Sequence, residues 1–172
     1  GAVEGAGAGV VLVAQAGFPR ERMTVLNNAI DNQAFSADLA SISDDEVRAL
    51  RASIGAADGA CVGLYCGSLY PDKRLGLMIE ACERVVARHP EFRMVIVGDG
   101  PSRAELEPVM NKPWFHWAGV RKGREKAAWF RAAQLFLNPG LVGLHILDSF
   151  VAGAPMITTD DAKHSPEVCY LK

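Results

Sequence analysis

Residues 135–155 read LFLNPGLVGLHILDSFVAGAP, and this stretch decides the fold. Residues 135–138 are apolar up to Asn138 and predict a short strand. Pro139, Gly140 and Gly143 punctuate a loop, and the apolar spacing beyond them predicts a helix over 144–152. A strand, a glycine loop and a helix in that order aim the unpaired N–H groups of the first helical turn at the space above the strand. With the helix dipole, those groups favour an anion, most often a phosphate. Asp148 sits one turn into the helix and can face the same cleft, where its carboxylate would accept hydrogen bonds from a hydroxylated ligand. The segment suits a phosphorylated, sugar-bearing molecule.

The same grammar repeats upstream. Residues 60–66 form a continuous apolar run, as expected of a parallel strand buried on both faces. A loop over 67–73 leads to a helix over 75–88, whose apolar positions Leu75, Met78, Ile79, Cys82, Val85 and Val86 follow a helical period. Strand 92–97 runs into Gly98-Asp99-Gly100-Pro101, then helix 102–110, strand 114–117 and Gly119. Helix 122–133 precedes strand 135–138, and strand 156–159 follows helix 144–152. Strands and helices alternating in this way predict an α/β, Rossmann-like parallel sheet with helices on both faces. Ligands of such sheets sit at the C-terminal strand ends, where every one of these glycine loops falls. Before the alternation, a helix over 10–16 ends at Gly17, a strand covers 23–27 and a polar loop covers 28–37. Ser43 with Glu46 makes a capping box, opening a helix that runs through Val47, Leu50 and Ile54 to Gly55.

A length of 172 residues suffices for one domain with a real core, and 49% hydrophobic with 22% charged residues is ordinary for a globular chain. A net charge of -2 gives no electrostatic footprint for DNA or RNA. Cys61, Cys66, Cys82 and Cys169 have no CxxC spacing, and no cysteine–histidine cluster suggests a zinc site. Cys61 and Cys66 point to opposite faces of one strand, so all four read as reduced thiols of an intracellular protein. No stretch reaches the ~20 apolar residues of a membrane span, and residues 1–17 lack the basic start of a signal peptide. The chain begins without Met and reads as a piece of a longer protein.

Three strand-end loops carry groups that could converge. In the first, Lys73 is either a solvated surface lysine or a point charge for a phosphate. In the second, the glycines of Gly98-Asp99-Gly100 either admit a ligand or, as we favour, make a tight turn with Pro101 opening the helix. The third is the loop before His145 and Asp148, and Asp148 is either a ligand contact or a solvated helix residue. His145 can offer its ring or its backbone N–H to a phosphate. His116, between Trp114 and Trp117, reads as a core or half-buried histidine, and His164 as a candidate contact over the same edge. No GxxxxGK[ST] run is present, and Gly5-Ala6-Gly7-Ala8-Gly9 follows no strand, so neither P-loop nor dinucleotide fingerprint applies.

Five pieces in this order carry a family resemblance: MTVLNNAIDNQAF, YCGSLYPDKRLGLMIEA, MVIVGDGPSRAELE, FHWAGV and PGLVGLHILDSFVAGAPMITT. The chain resembles the C-terminal, donor-binding domain of a retaining nucleotide-sugar glycosyltransferase with the GT-B fold, of the family-four or group 1 kind. The resemblance implies residues 1–37 as the end of a preceding domain or inter-domain segment, and 38–172 as the donor domain, truncated at its C-terminus. It implies that Lys73 binds the donor diphosphate and stabilises it as it leaves. The loop of Ser68 would contribute to the phosphate site, and the backbone of Gly143, Leu144 and His145 would hold the distal phosphate. Asp148 would bond the ribose, and the Gly119-Val120-Arg121 turn would contact the base.

Two departures stand out. The family's phosphate-loop arginine is Ser68 here, and the acid expected to touch the donor sugar is Gly140. The implied activity is retaining, hexosyl-type transfer from a nucleotide-diphosphate sugar, with no further cofactor and no metal. The acceptor would be a glycan, a lipid or a small molecule, held by an N-terminal domain that this chain lacks. The isolated chain is accordingly expected to be inactive. A degenerate, non-catalytic nucleotide-sugar-binding module and a GT-B nucleotide-sugar epimerase are the alternatives. The expected setting is cytoplasmic, with room for peripheral membrane association of the full-length protein.

Overall fold

A computed structural model describes residues 10, 11, 13–24, 31–161, 164 and 168. Five parallel strands form one sheet in the order β3-β2-β1-β4-β5: β1 (Val62–Cys66), β2 (Arg93–Val97), β3 (Phe115–Gly119), β4 (Leu135–Leu137) and β5 (Met156–Ile157). The helices are α1 (Asn32–Ala40), α2 (Asp44–Ser53), α3 (Leu75–Val86), α4 (Gly123–Ala132) and α5 (His145–Ala152). The expected alternation is present, and its consequence is a switch in direction. From β1 the chain steps outward to β2 and β3, then returns to the other side of β1 for β4 and β5. Right-handed crossovers therefore send α3 to one face and α4 and α5 to the other.

Side-chain alternation separates two cores. Val62, Leu64 and Cys66 of β1 face a cluster with Phe35, Leu39, Trp129, Phe130 and Phe136. Tyr65 faces the other, with Leu75, Met78, Cys82, Ile96 and Leu106. Cys66 and Cys61 accordingly contribute to different cores, and Cys61, Cys66 and Cys82 are free thiols.

The expected capping box is present: the Glu46 N–H donates to Ser43 Oγ, and Glu46 Oε2 accepts from the Ser43 N–H at 2.9 Å. Three expectations need correction or fall outside the described residues. The polar loop expected over 28–37 is a helix from Asn32, capped by Asp31, whose carboxylate accepts from the Ala34 N–H. Phe35 and Leu39 lie one turn apart on its buried face, and Phe35 meets Phe130 edge-on at 5.4 Å. Burial of this pair stabilises a helix that the polar composition hides. The α-helix expected over 102–110 is a 3-10 helix, Pro101–Val109. Pro108 lies inside it and cannot supply the N–H an α-helical ladder would need there. Of the strand expected over 23–27, Met23 and Thr24 are irregular and the rest lies outside the described residues.

Candidate functional site

The reversal between β1 and β4 opens a crevice at their C-terminal ends, the usual ligand position in such a sheet. Two loops fill it, 67–73 after β1 and 138–144 after β4, and they are tied together directly. The Leu141 N–H donates to the Asp72 carbonyl at 2.9 Å, and Lys73 Nζ donates to the Leu141 carbonyl at 2.5 Å. Lys73 is therefore not the solvated lysine of the bland reading, being only 8% exposed. Burial holds its pKa below the ordinary lysine value, with the Asp72 carboxylate opposing. Gly140 allows this contact: a β-carbon there would overlap the Asp72 carbonyl oxygen and lie 2.5 Å from Lys73 Cα.

His145 lies between these two loops, against Asn138 and Gly67. The Asn138 carboxamide nitrogen donates to the Leu141 carbonyl at 3.1 Å and to His145 Nε2 at 2.9 Å. Nε2 is thus the ring's acceptor and Nδ1 carries the proton. Nδ1 lies 3.8 Å from where a Gly67 β-carbon would stand, toward the β1 loop. Burial first, and the Lys73 charge second, push the ring's pKa down to about 4, which keeps it neutral. Asn138 Oδ1 is fully buried with no partner among the described residues. Among the described residues, no side chain caps the N-terminus of α5. The start of α5 lies close enough to Lys73 for the lysine charge to act on the His145 ring, and an ammonium beside a helix N-terminus is a combination suited to a phosphate or diphosphate.

Asp148, one turn in, is 7% exposed and is already paired: Lys126 Nζ donates to its Oδ1 at 2.9 Å. Sequence reasoning missed Lys126. It lies one turn before Trp129 and Phe130, on the buried face of α4, and a lysine on an apolar helical face was the available signal.

Of the remaining candidates, Ser68 and His164 lie on or against the two loops of the site, and the others lie farther out. Ser68 is exposed, and its carbonyl accepts from the Tyr65 hydroxyl at 2.9 Å. The Gly119-Val120-Arg121 turn is at the same sheet edge but at the end of β3, two strands away from β1. Gly119 adopts φ +70° there, the Gly98 N–H donates to its carbonyl at 2.9 Å, and Val120 is exposed. The glycines of Gly98-Asp99-Gly100 serve the tight turn, because β-carbons on Gly98 and Gly100 would overlap the backbone of Gly67 and Leu69. His116 is half-buried against Trp129, at 5.3 Å between ring centroids. His164 accepts from the Val142 N–H through Nδ1 at 3.3 Å and donates from Nε2 to the Thr159 carbonyl at 2.6 Å.

Residues 60–170 match the family model described as Glycosyl transferases group 1. The alpha-monoglucosyldiacylglycerol synthase of Acholeplasma laidlawii is 23% identical over 145 residues, which cover 80% of this chain and 36% of that protein. Sulfoquinovosyl transferase SQD2 of Arabidopsis thaliana is 25% identical over 158 residues, covering 90% of this chain and 29% of that protein. The crystal structure of Anabaena Alr3699/HepE in complex with UDP and glucose superposes with a TM-score of 0.69 at 18% identity, over 95% of this chain and 44% of that one. The chain thus spans less than half the length of these proteins, and the match lies in their C-terminal portion.

Proposed function

Because this chain belongs to the glycosyl transferases group 1 family and has the Rossmann-like sheet of the GT-B fold, we propose that it is the donor-holding part of a glycosyltransferase that works with retained anomeric configuration. The donor is a nucleotide-diphosphate sugar, and the transferred group is a hexosyl-type sugar. One feature supports this reading above others: the Lys73 ammonium reaches the loop that leads into α5, whose N-terminus has no side-chain cap among the described residues, at the C-terminal ends of β1 and β4. In front-face displacement the acceptor hydroxyl attacks the anomeric carbon from the side on which the diphosphate leaves, and a diphosphate oxygen takes the hydroxyl proton. Charge then builds on the departing diphosphate, and Lys73 with the α5 N-terminus stabilises it. On binding, Lys73 exchanges the Leu141 carbonyl for phosphate oxygens. Asp148 takes the ribose, and the backbone at Gly119-Val120-Arg121 faces the base. The donor domain takes in all of α1 together with the residues that follow it, rather than starting at residue 38, and a further N-terminal domain holds the acceptor.

The Acholeplasma relative is named for making a glucosylated diacylglycerol, and we extend a lipid acceptor, met at a membrane surface from the cytoplasm, to this protein. No helix among the described residues is long and apolar enough to cross a membrane.

A second reading, a binding module without transfer, is favoured by two features. The loop backbone fills the space at Gly140 where a sugar-contacting acid would begin, and Ser68 carries no charge. Calorimetric titration with UDP, ADP and GDP tests the donor site. One of them should bind, and Lys73→Ala should weaken it about 10- to 100-fold, as expected for a charge-assisted phosphate contact. Failure of the full-length protein to bind any of the three sinks both readings. Binding without transfer by that protein selects the second.

A further inference from the structure

Lys126 and Asp148 form a part-buried ion pair that the donor reading leaves unexplained. Their side chains are 24% and 10% exposed, and Lys126 Nζ also lies over the Phe35 ring, 4.4 Å from its centroid. Three helices thus meet at one ammonium: α4 supplies it, α5 the carboxylate and α1 the ring. The pair sits at the C-terminal end of β1, close enough to the Cys66 thiol for both charges to act on it, and the phosphate loop begins at the next residue. Stability alone is a poor reason for it. Taking two charges out of water costs about as much as their attraction returns, and apolar residues of the same volume serve a core as well or better.

We propose that Lys126 is a positioning residue for ribose recognition: by holding Oδ1 of Asp148 it leaves Oδ2 as the fixed acceptor for the sugar's vicinal hydroxyls. The inference rests on the donor-site reading above. A carboxylate can accept through both oxygens and rotate about its terminal torsion. An aspartate held on one side by an ammonium, itself braced by an aromatic face, has one orientation before ligand arrives, and the ordering cost of binding falls accordingly. Lys126 touches no ligand in this arrangement and acts only through Asp148.

The test compares a nucleoside diphosphate with its 2′,3′-dideoxy analogue, using whichever of UDP, ADP or GDP the wild-type protein binds. Lys126→Met keeps the stem against Phe35 and removes the ammonium. The preference for the ribonucleotide should fall about 10-fold, with the affinity of the dideoxy analogue changed less than about 2-fold. Lys126→Arg should restore the preference. Adding Lys126→Met to Asp148→Asn should cost nothing further in that ratio, because the two residues act as a unit. If Lys126→Met fails to fold, Lys126→Gln reads the same ratio. An equal loss for both nucleotides, or an unchanged ratio, overturns the positioning role and leaves the pair a staple between helices. Absence of nucleotide binding by the wild-type protein is a separate outcome that overturns the donor reading, and this inference with it.

Discussion

At position 140 even a methyl group would overlap the Asp72 carbonyl, whereas at Gly143 the nearest atom to an added β-carbon is His145 Cε1 at 3.9 Å. Gly140→Ala should therefore destabilise the protein by about 1–3 kcal/mol, the usual cost of overpacking, and Gly143→Ala by less than about 0.5 kcal/mol. Urea unfolding of the two variants checks this, and equal losses would mean that the clasp between loops 67–73 and 138–144 yields freely. A larger side chain at 140 meets the same backbone, so restoring an acid there would not restore a sugar contact. His145 gives a prediction of opposite character. Its pKa is about 4 in the folded protein against 6.5 as a free side chain, because burial and Lys73 disfavour the imidazolium. Between those values the unfolded chain takes up a proton that the folded chain refuses. This contribution is whole above pH 6.5 and is lost as pH falls toward 4. Between pH 7.5 and 5 it amounts to about 2 kcal/mol. Denaturation without nucleotide should show His145→Gln losing less stability over that range than the wild type by about this amount. An identical pH dependence would contradict a buried neutral ring.

Among the elements, α2 and α1 are instructive opposites. The start of α2 is legible because its signal is local: Ser43 and Glu46 bond each other's backbone N–H, which needs nothing beyond four consecutive residues. Ser43→Ala should cost about 1 kcal/mol. The stabilisation of α1 is remote. Phe35 finds Phe130 on α4, 95 residues away in sequence, and its neighbours Asn32, Gln33 and Ser36 read as loop. Phe35→Ala should cost about 3–5 kcal/mol as a buried aromatic deletion, measured by denaturant unfolding. It should also release Lys126 from its aromatic face. A loss below 1 kcal/mol would mean that α1 is only laid against the sheet. Helix α1 spans residue 37, so a division of the chain there cuts through an element that packs on the donor domain's own core.

Over the whole molecule, the sheet was readable because each strand is a short apolar run and each glycine loop marks a C-terminal strand end. Parallel direction then follows from the helical connections, whereas the order β3-β2-β1-β4-β5, with its reversal at β1, depends on which strands pair across the sheet and is not legible in the sequence. The site was half readable. Its helix N-terminus is a local pattern, but the Lys73–Leu141 link and the Lys126–Asp148 pair join residues far apart in sequence that no spacing announces. The same geometry separates binding from catalysis. Groups suited to the leaving diphosphate, Lys73 and the start of α5, lie on this chain. Transfer also requires an acceptor hydroxyl held against the anomeric carbon, and that positioning supplies about 7–11 kcal/mol of an enzyme's effect on its barrier. The proposed acceptor domain lies outside the 36% and 29% of the two relatives' length that this chain matches. The 172-residue chain should therefore bind a nucleoside diphosphate in a titration yet transfer no sugar from the corresponding nucleotide sugar in a product-release assay. Transfer by the 172-residue chain alone would place the acceptor site on this side of the donor and overturn the division of labour proposed between the two domains.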